Sequence, residues 1–188
     1  MFDLSNARFA FLDIETTGLS PWFGDRICQI AIVLTEGKRI KTTVDLLLNP
    51  EHDLSPAAAH VNGLDESKLS ASPKFAEITD QLEASLKDAV IVCHNAKFDL
   101  QFLDNEYRKL SRTIEYPNLI ETLLLARDNF DLDSYSLQHL ADAFHVSNSS
   151  QASHAMADAL TVKNLFFALM DALKPNGMPL DDYIGIYN

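Results

Sequence analysis

The chain has 188 residues, 47% hydrophobic and 22% charged, enough to bury one substantial core and too few for two comfortable domains. Its net charge of −12 argues against tight, sequence-independent binding of long nucleic acids, which calls for Lys and Arg to neutralise phosphates. No apolar run approaches the ~18 residues of a membrane span, and Met1-Phe2-Asp3-Leu4-Ser5-Asn6 carries neither a basic nor an apolar leader region, so the expectation is a soluble, cytoplasmic protein with no membrane partner.

Arg8 to Leu12 reads as a short buried strand that ends in Asp13-Ile14-Glu15 and is followed by the breaker run Gly18-Leu19-Ser20-Pro21. Ile27 to Leu34 and Ile40 to Leu48, separated by Glu36-Gly37-Lys38-Arg39, predict an antiparallel hairpin. Beyond Asn49-Pro50, Ser55-Pro56 opens one short helix, Asp65 another, and Ser72-Pro73 a third running to about Leu86. Ala89 to Cys93 is a second buried strand, and His94-Asn95 leads into a helix from about Ala96 to Leu110. Apolar residues at three- and four-residue spacing predict helices over about Ile120 to Asp128, Ser136 to Phe144 and Ser153 to Leu173. Cys28 and Cys93 fall inside predicted strands and read as buried thiols, and Pro175 to Asn188 has no period. Three strands, helices, a strand and more helices suit a mixed sheet with a hairpin on one side and a parallel strand reached by a helical crossover.

Three segments carry the chemistry. Asp13 and Glu15 are two apart on an extended stretch, so both side chains leave the same face, and two carboxylates held that close repel unless a cation lies between them. A pair of acids at a strand end is also a common solvent-facing feature; what makes it specific is its continuation through Thr16-Thr17-Gly18-Leu19. Val90-Ile91-Val92-Cys93-His94-Asn95-Ala96-Lys97-Phe98-Asp99 passes from buried strand to helix and puts Asp99 on the first helical turn, either as a site residue at the strand's carboxyl end or as a complement to the positive helix N-terminus. His154 and Asp158, four apart near the start of the final helix, lie on one helix face.

In this order and over this length, the three segments resemble the exonuclease motifs of the DEDD superfamily, in the branch of the polymerase III epsilon proofreading subunit and RNase T. The resemblance covers about residues 8 to 173, so an exonuclease domain is assigned to 1–174 and a tail of unknown role to 175–188. It implies an α/β, RNase H-like fold with a mixed five-stranded sheet, an antiparallel hairpin and flanking helices. It implies two Mg²⁺ or Mn²⁺ ions, with Asp13 bridging both, Glu15 and Asp158 completing one and Asp99 holding the other mainly through water. Hard oxygen ligands suit those ions on independent grounds. His154 would take the proton from the attacking water. By resemblance, Thr16, Thr17, Gly18, Leu19, Asn95 and Phe98 face the terminal nucleotide, with turn amides meeting the 3′ end and Leu19 wedging against bases; His60, in His60-Val61-Asn62-Gly63, approaches the substrate as well.

This chain departs from the branch at the histidine, which there precedes the last aspartate by five positions: Ser153 holds that place and His154 stands at four, the spacing of a sister branch that uses tyrosine. Glu121 stands where many relatives carry Asp, and Gln29 replaces a Glu often seen in the hairpin. His52, His139 and His145 read as surface or packing residues, Phe166-Phe167 as core, and the sequence displays no basic stripe interleaved with aromatics. Three functions stay open: an exonuclease trimming single-stranded DNA 3′ ends, an RNase T-like enzyme trimming RNA 3′ ends, and a retired domain that serves as a binding module for a polymerase or repair assembly.

Overall fold

The computed structural model describes residues 6–55, 58, 64–116, 118–146, 152–173 and 183–185. Most of the helix predicted to follow Ser55, the segment His60-Val61-Asn62-Gly63, the run Ser147 to Gln151 and most of the tail lie outside the described residues.

Five strands form one sheet: β1 (Arg8–Thr16), β2 (Ile27–Glu36), β3 (Arg39–Leu47), β4 (Val90–Cys93) and β5 (Leu119–Glu121), in the spatial order β3-β2-β1-β4-β5. β1 and β3 run antiparallel to β2, and β4 and β5 run parallel to β1. The β2-β3 turn closes at Glu36↔Arg39, and Gly37 there takes φ +53°, a conformation that costs glycine nothing. The helices are α1 (Glu66–Ser70), α2 (Phe75–Leu86), α3 (Ala96–Lys109), α4 (Thr122–Asn129), α5 (Leu137–Ala143) and α6 (His154–Leu173).

The expected helices agree with these bounds to within a few residues, except at Leu119–Glu121. Ile120 was expected to open a helix, but it is fully buried in β5, opposite Val92, and the helix starts at Thr122. A three-residue strand has no measurable period of its own; pairing with β4 decides its state.

The sheet is covered on both faces. Side chains alternate along β1: Phe9 and Phe11 point to the α6 side, where they meet the rings of Phe166 and Phe167 at 5.2 to 5.8 Å between centroids. Ala10, Leu12 and Ile14 join the other core layer with α2 and α3. β2 is buried along nearly its whole length because it has covered faces and a strand on either side. Near the end of the chain, Gly185 pairs with Leu119 at the β5 edge, and the Tyr183 hydroxyl lies 2.9 Å from the Asn129 amide nitrogen, so this short stretch packs on the chain's own domain.

Candidate active site

Parallel pairing of β1 with β4 is recorded at Phe9, Ala10 and Phe11, and β4 ends at Cys93. Asp13 and Glu15 prolong the Phe9–Phe11 row of β1 into the stretch beyond that pairing, flanked by β2 alone, with Ala31 opposite Asp13 and Gln29 opposite Glu15. The chain leaves β4 through His94 and Asn95 into α3, and this brings Asp99, only 5% exposed, across to β1, where its carboxylate accepts hydrogen bonds from the backbone N–H of Ile14 and from its own. On the other face, Phe166 and Val162 seat α6 on the sheet, and one and two helical turns earlier the same ridge carries Asp158 and His154.

Three separated segments therefore put four acids into one electrostatic field. Burial, then the charges of Asp99, Asp158 and Glu15, push the Asp13 carboxyl well above the ordinary range. Burial and Asp158 raise Glu15 to about 7. Asp99 is raised by burial and then by Glu121 and Glu15, against its two backbone hydrogen bonds. Asp158 meets solvent, yet the surrounding protein raises its carboxyl as well, and His154 works in the opposite direction. Burial is the largest cause at all four, and at Asp13, Glu15 and Asp99 neighbouring acids add to it, as expected where positive charge is lacking.

Among the described residues, no group of three or more His, Cys, Asp or Glu side chains is set closely enough to hold a metal ion by itself. Mg²⁺ is usually held by one or two carboxylates together with water and substrate phosphate, so an open, oxygen-only, charge-starved cluster suits such an ion. The fitting donors are Asp13, Glu15, Asp99 and Asp158.

The turn after β1 is tightly braced. Thr17 is fully buried; its N–H donates to the Arg26 carbonyl at 2.9 Å, and its hydroxyl accepts from the Arg26 N–H at 3.0 Å. Thr16, also buried, donates its hydroxyl to the Gly18 carbonyl at 2.6 Å. Asp25 accepts from the Ser20 N–H at 2.9 Å, and a Cβ on Gly18 would lie 2.3 Å from its carboxylate, so a larger residue at 18 would have to displace the Asp25 side chain. The N–H groups of Gly18 and Leu19 have no acceptor among the described residues, and the Leu19 side chain is 83% exposed. Asn95 is exposed, and half-buried Phe98 packs on Phe102 at 5.1 Å. His60 lies outside the described residues.

Ser153, at the position where the branch carries histidine, is occupied. Its hydroxyl donates to Asp45 on β3 at 2.8 Å and accepts from the Met156 N–H at 3.4 Å, capping α6. Asp45 in turn accepts from the Gln29 amide at 2.7 Å, so β2, β3 and the start of α6 are tied together beside exposed His154. Sequence reasoning also passed over His94. Its Nε2–H donates to the Tyr135 carbonyl at 3.0 Å, which leaves Nδ1 to accept from the Thr122 hydroxyl at 3.0 Å, and burial holds its pKa below the usual value. It is a neutral strut between β4, α4 and the loop before α5, and no local pattern announces it. Glu121 was noticed only as a replacement; its carboxylate accepts from the Ala96 N–H at the start of α3.

A family model described as "Exonuclease" matches residues 10–166. The DNA polymerase III subunit epsilon of Rickettsia conorii is 34% identical over 173 residues, spanning 89% of this chain and 75% of that protein. This chain spans only 25% of one longer curated relative and 12% of another. Among solved structures, the fold is similar to the nuclease domain of 3'hExo, described as a DEDDh family member bound to rAMP, with TM-score 0.78, 13% identity and coverage of 100% of this chain and 99% of that one. It is also similar to Exonuclease X in complex with 5′ overhanging duplex DNA, with TM-score 0.70, 23% identity and coverage of 94% and 96%.

Proposed function

The chain belongs to the exonuclease family, and we propose that it releases nucleoside monophosphates from the 3′ ends of single-stranded DNA by hydrolysis with two divalent ions, Mg²⁺ or Mn²⁺. The observation that carries this reading is the convergence of three segments at Asp13, a buried carboxyl on which Asp99, Asp158 and Glu15 all bear. Asp13 would bridge both ions, Glu15 and Asp158 complete one, and Asp99 hold the other mainly through water. When bound, the ions supply a hydroxide nucleophile near neutral pH and neutralise charge on the phosphate and the leaving oxygen.

The remaining work falls to the chain. His154, exposed at the head of α6 and felt by Asp158, takes the proton of the attacking water on a ring nitrogen. The N–H groups of Gly18 and Leu19 meet the 3′-terminal nucleotide, while Thr16 and Thr17 act by holding the turn in shape. Leu19 wedges against the terminal base, Asn95 and Phe98 border the same nucleotide, and His60 approaches it on sequence grounds alone. DNA is favoured by the relative named as a polymerase III epsilon subunit, which also makes a polymerase assembly the proposed partner class. The structural neighbour bound to rAMP favours a second reading, RNA 3′ trimming.

End-labelled single- and double-stranded DNA and RNA oligonucleotides, incubated with Mg²⁺, Mn²⁺ or EDTA, test the proposal. The expected result is a single-nucleotide ladder from the 3′ end of single-stranded DNA that disappears in EDTA. A faster ladder on RNA moves the reading to RNA. Undiminished cleavage in EDTA, or internal cuts, overturns it.

A further inference from the structure

The described residues include six exposed large hydrophobic side chains, and three of them, Leu19 at 83%, Trp22 at 65% and Phe23 at 90%, fall within five consecutive positions just after the catalytic strand. Hydrogen bonds hold them outward. Pro21–Phe23 forms one 3₁₀ turn, the N–H groups of Phe23 and Asp25 donate to the Ser20 carbonyl, and Gly24 closes the turn at φ +103°. Monomeric proteins seldom spend aromatic residues this way without a partner to cover them.

Next to this turn is a cationic cluster in an otherwise acidic molecule. The Arg108 guanidinium sits 4.7 Å from the centre of the Trp22 ring, and Lys109 follows it on the exposed end of α3. Neither makes a salt bridge among the described residues. Arg26, at the foot of the loop, is fixed by a two-point bond to Glu106 of α3 at 2.6 and 2.7 Å, so loop and helix are held as one unit. Burial lowers the pKa of the Lys109 ammonium, Arg26 adds to that, and the Glu106 and Glu51 carboxylates act against it.

We propose that Trp22, Phe23, Arg108 and Lys109 form a binding platform for the single strand upstream of the scissile nucleotide, with bases stacked on the two aromatic rings and phosphates met by the two cations. The proposal rests on the nuclease reading, which puts the strand's 3′ end against Leu19. The platform begins three residues further along the same turn. Flat apolar faces interleaved with cations that make no salt bridge among the described residues match bases and phosphates alternating along a backbone. They fit an acidic protein surface less well, since it would leave the rings without flat partners.

Trp22 is the single tryptophan of the chain, so its emission reports directly on the platform. The Asp13→Asn protein, with Mg²⁺ present, is titrated with a ten-nucleotide oligothymidylate while anisotropy of a labelled copy records binding separately. Stacking predicts saturable quenching in step with binding. Phe23→Ala, which keeps the reporter, weakens binding about tenfold, and Arg108→Ala with Lys109→Ala lowers the slope of log K against log salt by about 1.4. In the otherwise native protein, Trp22→Ala raises KM for the same strand about tenfold while kcat stays within threefold. The platform is overturned by binding without quenching, by quenching indifferent to Phe23 and both cations, or by sedimentation showing that a second copy covers Trp22. Strand degradation without any response of Trp22 sinks the platform alone; saturable quenching in a wild-type protein devoid of nuclease activity sinks the catalytic reading alone.

Discussion

Asp13 and Glu15 stand half-buried where β1 outruns its parallel neighbour, their pKa values raised by burial and then by nearby acids; a few residues later Leu19, Trp22 and Phe23 stand in solvent, with Arg108 over the Trp22 ring and Lys109 next to it in the chain. One region concentrates negative charge, which on the proposed reading is met by divalent cations from outside the chain. The other already contains its cations and lacks only something flat and anionic to cover. A protein of net charge −12 can handle a polyanion in this way if it confines attraction to two small places, one metal-borne and one made of side chains, and leaves the rest of its surface repulsive. The contrast also divides labour: the acid floor should govern kcat and metal dependence, and the aromatic rim should govern KM and salt dependence.

The largest effect should come from the floor. Asp13→Asn removes the acid on which all three others bear and should lower kcat by at least about 10²–10³-fold, the scale of losing one major electrostatic stabiliser, while leaving the rim's affinity for a strand nearly unchanged. Single-turnover rates beside oligonucleotide binding check this. Equal losses in both would show that floor and rim are not separable.

Next is His154→Ala, expected to lower kcat at least tenfold and to remove the acidic limb of the pH–rate profile, with little change in metal affinity. Ser153→Ala should instead cost about 0.5–2 kcal/mol of stability through the lost cap, with kcat within a few-fold. An unchanged kcat and pH profile in His154→Ala would remove histidine from the mechanism and leave the carboxylates in place.

Arg26→Ala sharpens the comparison through stability. It strands Glu106, whose side chain is 3% exposed, without its partner, and should cost about 3 kcal/mol, read from the urea midpoint at constant m-value. Glu106→Gln in the same protein should recover part of that loss. If Arg26→Ala leaves the midpoint where it was, the loop is not anchored to α3 as drawn.

The smallest effect is one of pH. In metal-free protein Glu15 titrates at about 7, and Asp13 and Asp99 are also held above the ordinary carboxylate range. The fold therefore keeps protons that the unfolded chain gives up above about pH 4, a contribution complete below that value and lost as pH rises through about 7. His94, whose pKa burial holds down, acts in the opposite sense, its contribution being lost as pH falls below the ordinary histidine value of about 6.5. The clean measurement is thus the Tm difference with and without Mg²⁺ at each pH, which should widen from about pH 5 to about pH 7.5. A constant difference would mean that the ion does not compete with these protons.

The candidate floor was legible through the family resemblance of the segments around its acids, and local rules fixed only where each acid falls on its element. Asp13 and Glu15 share a face by strand alternation, Asp99 opens a helix directly after a buried strand, and Asp158 heads the final amphipathic helix, so short-range spacing put each acid at the end of an element. The rim was not legible in that way. Trp22-Phe23 within a run of turn formers was a signal, since adjacent aromatics rarely sit in a tight loop without purpose, but Arg108 is 86 positions away and nothing in either neighbourhood refers to the other. Asp45 and Ser153, 108 positions apart, were invisible for the same reason, and β5 was too short for its pattern to outweigh a helical one.

By itself the sequence determined the alternating strands, the amphipathic helices, and the acids at their ends, because periodicity and capping act over a few residues and depend little on what lies across the fold. The tertiary structure alone decided that Leu119–Glu121 pairs with β4, that Asp99 reaches the Ile14 N–H, that Ser153 is spent on Asp45 while His154 stays exposed, and that Arg108 lies over Trp22. Each of these is a contact between distant segments, fixed by how the two layers pack on the sheet, and packing distance is not written in spacing along the chain.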